Sequence, residues 1–93
     1  MSLNQESAVE KARTDLAGRL GVSEDEIETV SVTDEEFPDM SLGAPTADEM
    51  AAQMISSGWR INLAGGGENY EYRADKYHLR LYDFEGTNYV VES

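Results

Sequence analysis

Three short strand-like runs in the second half of this 93-residue chain restrict its fold more than any other feature. They span residues 59–63, 69–74 and 77–82, and each has large apolar side chains at alternate positions. The connections Gly65-Gly66-Gly67 and Ala74-Asp75-Lys76 are short, and strands joined by such turns pair antiparallel. The sequence therefore predicts a β-meander over this part of the chain.

A further strand is predicted over residues 27–33, where β-branched and polar residues alternate. Three adjacent carboxylates, Asp34-Glu35-Glu36, are expected to end it, because burying all of them would be costly. After the Gly86-Thr87-Asn88 turn, residues 89–91 either add a short last strand or fray.

Apolar residues recur at helical spacing near the start of the chain and predict an N-terminal helix. Ser7 and Glu10 fit a capping box, in which each side chain bonds to the other residue's free backbone amide. Gly21 can adopt the left-handed conformation that commonly ends a helix. These signals predict a helix over residues 7–20.

A second helix is predicted over residues 47–56, where Thr46 and Glu49 fit another capping box and Gly58 follows the end. Its apolar residues share one helix face at positions i, i+3, i+4, i+7 and i+8. They are Ala47, Met50, Ala51, Met54 and Ile55. A methionine-lined face of this kind is favoured as part of the core over an adaptable binding stripe.

These elements predict a single α+β domain over residues 1–93, in which both helices pack on a four-stranded antiparallel sheet. A chain of this length hides ~60–65% of its unfolded surface, which is enough for one two-layer core. Residues 1–6 are expected to be disordered or to replace the native start of the chain.

The chain is strongly acidic, with 19 Asp and Glu against 7 Lys and Arg and a formal net charge of −12. Nucleic acids and anionic membranes are bound through clustered basic residues, so neither is expected as a partner. The surplus of carboxylates suits a halophilic protein, because high salt screens charge repulsion. It equally suits an acidic domain from an ordinary cell.

Cysteine is absent, which excludes disulfide bonds and thiolate metal sites. Neither the first 20 residues nor any later stretch is apolar enough for a signal peptide or a membrane span. A cytoplasmic location is therefore expected, unless an export signal belonged to the native start of the chain.

The two prolines bracket a loop after the first strand, Phe37-Pro38-Asp39-Met40-Ser41-Leu42-Gly43-Ala44-Pro45. With Gly58-Trp59-Arg60-Ile61 and Tyr70-Glu71-Tyr72, it resembles a family of small uncharacterised prokaryotic domains over residues 8–75. That family often carries an aromatic-Pro-Asp-Gly-Ser-Leu-Gly-Cys-Pro loop, then Gly-Tyr-Arg-Ile, then Tyr-x-Tyr-His. The resemblance implies a layout similar to PepSY and cystatin-like folds, and by analogy alone the binding or inhibition of peptidases.

Two residues depart from the pattern of that family. Ala44 stands where the family usually has cysteine, and Arg73 stands where it often has histidine. The resemblance therefore implies that chemistry requiring that thiol or that imidazole does not occur in this chain.

The loop itself is expected to be a staple between the sheet and the second helix, pinned across one sheet edge. Asp39 and Ser41 are expected to make local bonds with the backbone, as short polar side chains do in turns. Phe37 and Leu42 are expected to anchor the loop in the core.

Two other features have both a chemical and a simpler structural interpretation. His78, the single histidine, is predicted to be exposed on the polar face of a strand rather than paired with a nucleophile. The carboxylates of Asp34, Glu35, Glu36 and Asp39 could gather around a hard cation such as Ca²⁺. The residue order of an EF-hand is absent, however, and a solvated acidic edge is favoured.

The functional expectation is a non-enzymatic module that binds an unidentified protein without a cofactor. The candidate contacts are the loop residues Phe37, Asp39, Ser41 and Leu42 and the outward sheet positions Arg60, Arg73, Arg80 and Tyr82. Arg beside Tyr on an open sheet face is common in protein recognition, although Arg–Glu pairing across strands explains it without a partner. Two alternatives stay open: a small metal-assisted hydrolase or cation-binding domain that uses the acidic loop, and a structural or self-associating domain.

Overall fold

A computed structural model describes residues 2–47, 49–50 and 52–92. Its elements are helix α1 (Gln5–Leu20), a single 3₁₀ turn (Glu24–Glu26) and the strands β1 (Glu28–Phe37), β2 (Ser56–Gly65), β3 (Glu68–Asp75), β4 (Leu79–Phe84) and β5 (Thr87–Glu92). The strands form one antiparallel sheet in the order β1-β2-β3-β4-β5.

The predicted α+β class and the predicted β-meander are confirmed. The prediction of four strands and two helices is wrong, since the described residues contain five strands and one α-helix.

Helix α1 begins earlier than the sequence predicts. The Asn4 side chain accepts a hydrogen bond from the Ser7 amide at 2.8 Å, and the Ser7 hydroxyl accepts one from the Asn4 amide at 2.9 Å. Asn4 and Ser7 therefore form the capping box, not Ser7 and Glu10. Gly21, with φ 70°, ends the helix as predicted.

The first residues of the chain belong to the folded domain. The Leu3 amide donates to the Lys76 carbonyl at 2.6 Å, and the Leu3 side chain packs against the main core. Gln5 and Glu6 lie in the first turn of α1. Residues 3–6 are therefore ordered in the structure, Met1 lies outside the described residues, and the alternative that residues 1–6 replace the native start stays a prediction.

Helix α1 covers one face of the sheet. The fully buried residues of this core are Ala8, Ala12, Leu16, Ile61, Leu63, Tyr72, Ala74, Leu79 and Leu81. Asp15 on α1 links the helix to the sheet, because its Oδ2 accepts a hydrogen bond at 2.7 Å from the hydroxyl of Tyr72 on β3. The same oxygen accepts one at 2.7 Å from Arg19 Nε on α1. Burial and the bond to Asp15 raise the pKa of Tyr72, so its hydroxyl stays a donor.

Strand β1 continues through Asp34-Glu35-Glu36 to Phe37 instead of ending at the carboxylates. It is an edge strand that pairs only with β2, so charged side chains need not enter the core. Glu35 lies 3.5 Å from the Arg60 guanidinium. Charges on an edge strand also discourage pairing with another chain.

The loop of residues 38–45 lies on the sheet face opposite α1. Side chains alternate along a strand, so Arg73 and Arg80, which neighbour the core residues Tyr72 and Leu79, point to this second face. Three apolar residues are buried here outside the main core: Phe37, Leu42 and Ala44. The loop therefore crosses the sheet, and the prediction that it is pinned across one edge is wrong.

Residues 46–55 connect the loop to β2 and are called the strap below. The described residues of the strap are irregular, so the predicted second helix is wrong for them. Asp48 and Ala51, which that prediction included, lie outside the described residues. Half of the predicted capping box is nevertheless formed, because the Thr46 amide donates to Glu49 Oε1 at 3.0 Å. The apolar side chains Met50, Met54 and Ile55 stay exposed, and the loop already covers part of the sheet face that a second helix would need.

Candidate functional site

Three arginines stand side by side on the second face of the sheet. Arg60 pairs with Arg73 between β2 and β3, and Arg73 pairs with Arg80 between β3 and β4. Like charges on adjacent strands repel, so this row is stable only if acceptors surround each guanidinium. Those acceptors come from the loop, the strap and neighbouring glutamates.

Arg73 holds the loop against the sheet. Its Nη1 donates to the carbonyls of Leu42 and Gly43 at 3.1 and 2.9 Å, and its Nε donates to Glu71 at 2.7 Å. Its guanidinium also lies 3.8 Å from the centre of the Tyr82 ring, within the range of a cation–π contact. Gly43 has a φ of 68°, and a Cβ there would lie 2.8 Å from Arg73 Nη1, so a larger residue would strain the backbone and displace the Arg73 side chain.

The tight turn of the loop is organised by Asp39. Its Oδ1 accepts hydrogen bonds from the Ser41 hydroxyl at 2.6 Å, the Ser41 amide at 2.9 Å and the Gly43 amide at 3.2 Å. These bonds, led by the one from the Ser41 hydroxyl, hold the pKa of Asp39 below its ordinary value. The predicted local bonding of Asp39 and Ser41 is confirmed.

Arg80 attaches the strap to β4. It is 4% exposed, and its Nη1 donates to the Ala44 carbonyl at 3.1 Å. Both of its terminal nitrogens donate to the Glu49 carboxylate. This pairing with Arg80 is the largest of the contributions that lower the pKa of Glu49 to about 2.

The residues predicted as contacts for a partner share one layer on this face, but they differ in exposure. The buried ones are Phe37, Ser41, Leu42 and Arg80, which can support a binding surface from below. The half-buried ones are Asp39, Arg60, Arg73 and Tyr82. Direct contact of these residues with a partner stays a prediction.

The single histidine belongs to a polar cluster. Asp75 is 3% exposed and accepts hydrogen bonds from the Ser56 hydroxyl at 2.5 Å, the Tyr77 amide at 2.9 Å, the His78 amide at 2.7 Å and His78 Nδ1 at 2.9 Å. Burial opposes ionisation, but the bonds from Ser56, Tyr77 and His78 outweigh it and lower the pKa of Asp75. His78 is half-buried in the turn before β4, so the prediction of an exposed strand histidine is wrong.

The order of this cluster differs from that of a nucleophilic triad. A triad places histidine between the nucleophile and the acid, whereas here Asp75 lies between Ser56 and His78. The hydrogen bonds of Asp75 instead hold the turn between β3 and β4 in place. The sequence does not single out Ser56 and Asp75, because they meet only through β2–β3 pairing, although the Asp75-Lys76-Tyr77 turn is a usable signal.

The acidic residues near the loop point in different directions. Glu35 faces Arg60, while Asp39 faces the amides of its own turn. Within the described residues no group of three or more acidic or histidine side chains could hold a metal ion. None of the helices in that part of the chain is long and apolar enough to cross a membrane.

The strap exposes three large apolar side chains within six residues. Met50 is 96% exposed, Met54 is 63% exposed and Ile55 is 72% exposed. These three residues are called the strap patch below. The predicted use of the two methionines as a core face is therefore wrong.

Comparison with known families assigns the chain by its sequence. Residues 9–81 match the family model described as Domain of unknown function (DUF8738), and the chain belongs to this family. Searches against curated proteins and against solved structures give no match.

Proposed function

We propose that this domain is a non-enzymatic protein-binding module and that a basic protein docks on the strap patch. The observation that carries the proposal is the exposure of Met50, Met54 and Ile55 together on one short segment. Single exposed apolar residues are ordinary, but a cluster of them rimmed by polar groups marks an interaction site. Methionine suits such a site because its flexible thioether adapts to the shape of a partner.

The charge of the chain supports a basic partner. Residues 20–59, which include the loop and the strap, carry ten acidic side chains and no Lys or Arg. A second copy of the chain would bring its own net charge of −12 and be repelled, whereas a basic surface would be attracted.

The polar groups of this region support a non-enzymatic role. Asp39, Asp75 and Arg80 each make several hydrogen bonds, which fix the loop, the β3–β4 turn and the strap. Their contacts account for their positions without a substrate. The loop and its arginines then serve to present the strap patch.

The test is a pull-down from native lysate followed by reconstitution with the purified partner. The immobilised baits are the wild type, the variant Met50→Gln/Met54→Gln/Ile55→Gln and the matched control Val30→Gln. Val30 is also exposed, at 54%, but lies on β1 and not on the strap.

We expect the wild type and the control to retain the same protein and the triple variant to lose it. In calorimetry the triple variant should bind the purified partner at least about tenfold more weakly, because each lost apolar contact is worth ~1 kcal/mol or more. Equal retention by all three baits, with unchanged circular dichroism, would contradict the proposal.

A further inference from the structure

We infer that the strap folds into a helix when a partner docks and that the docking element of the partner is itself a basic amphipathic helix. This inference rests on the proposed function and adds the form of the interface. The strap carries the apolar spacing of a helix, yet its described residues are irregular in the free domain. We assign that spacing a role in binding.

The strap already holds the start of a helix. The Thr46 amide donates to Glu49 Oε1 at 3.0 Å, and the Glu49 amide donates to the Thr46 carbonyl at 3.2 Å. The first bond is one half of a capping box, and the second closes a single i to i+3 turn of the kind found at helix starts. Continuing the helix from this turn would place Met50, Met54 and Ile55 on one face.

The free domain gives such a helix nothing to pack against. Isolated helices shorter than ~12–15 residues are marginal in water, and most helical stability in proteins comes from packing of an apolar face. In the free domain Met50, Met54 and Ile55 all stay exposed, so none of them is packed on α1 or on the sheet. An apolar face supplied from outside would stabilise the helical form and bury the strap patch in the same step.

The strap is attached in a way that permits this change. Within the described residues, one backbone hydrogen bond outside the strands joins residues 50–55 to the rest of the domain, from the Met40 amide to the Ala52 carbonyl at 3.0 Å. The strap is fixed near its start by the Glu49–Arg80 pair and leads into β2 at Ser56. Only the middle of the strap needs to move.

Free carboxylates beside the strap favour a basic helix over a neutral one. Ile55 lies two residues before Ser57, which pairs with Glu36 at the end of β1. Glu36 and Asp34 are exposed, and among the described residues neither forms an ion pair. Lys or Arg side chains flanking the apolar face of a partner helix would therefore find partners here.

The experiment uses two designed peptides of about 18 residues with the same leucine face, one with lysine and one with glutamate at all polar positions. Each is titrated into the isotopically labelled full-length domain, and Cα chemical shifts are followed by NMR. We expect the lysine peptide to bind, to move the shifts of residues 47–55 to helical values, and to bind more weakly from about 50 mM to about 500 mM salt. The glutamate peptide should not bind.

Two variants separate the contributions of the apolar face and of the helix. Met50→Gln/Met54→Gln/Ile55→Gln removes the strap patch without a loss of helix propensity, and we expect it to bind the lysine peptide about tenfold more weakly or worse. Gln53→Pro keeps the patch but blocks a helix, and we expect a similar loss. Val30→Gln should bind like the wild type.

Equal binding of the two peptides, binding unaffected by Gln53→Pro, or strap shifts that stay irregular in the complex would each overturn the inference. If these results accompanied a lysate partner that still depends on the strap patch, the proposed function would stand. If instead the peptides bound as expected but the lysate partner bound equally well without the strap patch, the inferred helix formation would stand and the proposed function would fail.

Discussion

Replacing Gly58 with alanine is expected to lower the free energy of unfolding by about 3 kcal/mol or more. Gly58 pairs with Glu35 on β1 and with Asp75 on β3, so it has a neighbouring strand on both sides. A Cβ at this position would lie 1.9 Å from the Ala74 carbonyl oxygen and 2.9 Å from Asp75 Cα. Both atoms belong to the backbone, so only a shift of β3 away from β2 can relieve the clash.

Equilibrium urea denaturation followed by circular dichroism measures this effect, and Gly18→Ala is the matched control. Gly18 lies on α1 with open space around the position of a Cβ. We expect Gly18→Ala to raise stability by about 0.5–1 kcal/mol, because alanine is the better helix former. A Gly58→Ala variant as stable as the wild type would show that β2 and β3 lie farther apart at Gly58 than in this structure.

Replacing Arg80 with methionine is expected to destabilise the domain by about 3 kcal/mol and to lower Tm by about 12–24 °C. Methionine is an apolar side chain of similar length, but the substitution leaves the Glu49 carboxylate without its charged partner and the Ala44 carbonyl without its Arg80 donor. Removing one partner of a buried pair costs more than the pair contributes, because the remaining group stays desolvated. The strap and the loop should loosen together.

A double-mutant cycle with Glu49→Gln isolates the pair. We expect Arg80→Met/Glu49→Gln to be less destabilised than the two single effects would give together, because the double variant leaves no unpaired charge. Additive effects would mean that Arg80 and Glu49 do not interact.

Acid titration checks the same pair independently. The pKa of Glu49 is lowered from 4.5 to about 2 in the folded state, so its ionised form stabilises the fold above pH 4.5. This contribution is lost as the pH falls through about 2. The stability difference between wild type and Glu49→Gln should therefore be largest near neutral pH and shrink below pH 4.5.

The sheet is the part of the fold that the sequence predicts best. Trp59, Ile61 and Leu63 alternate with polar residues, and the turns that follow leave antiparallel pairing as the simple solution, as observed. The extent of β1 is missed because Asp34-Glu35-Glu36 looks like a strand end. A strand can include three adjacent carboxylates when it is an edge strand, as β1 is. The position of a strand at the edge is a property of the whole sheet, so the local sequence does not reveal it.

The prediction of a second helix is wrong for a related reason. Periodicity shows that Met50, Met54 and Ile55 can share a helix face, but it does not show whether a surface exists to bury that face. The loop occupies that surface, held by Arg73 and Arg80, whose bonds to carbonyls some 30 residues away leave no pattern in the sequence. The local bonds of Asp39 are predictable, since they span four residues or fewer.

Methionine oxidation by dilute hydrogen peroxide, read by peptide mass spectrometry, tests most directly whether the strap patch is exposed in the free domain. Met40 is half-buried in the loop and serves as the internal reference, while Met50 and Met54 are exposed. The structure predicts that Met50 and Met54 oxidise at rates close to that of an unfolded peptide and faster than Met40. Protection of Met50 and Met54 equal to that of Met40 would contradict it, because the strap would then be a packed helix with no free apolar patch.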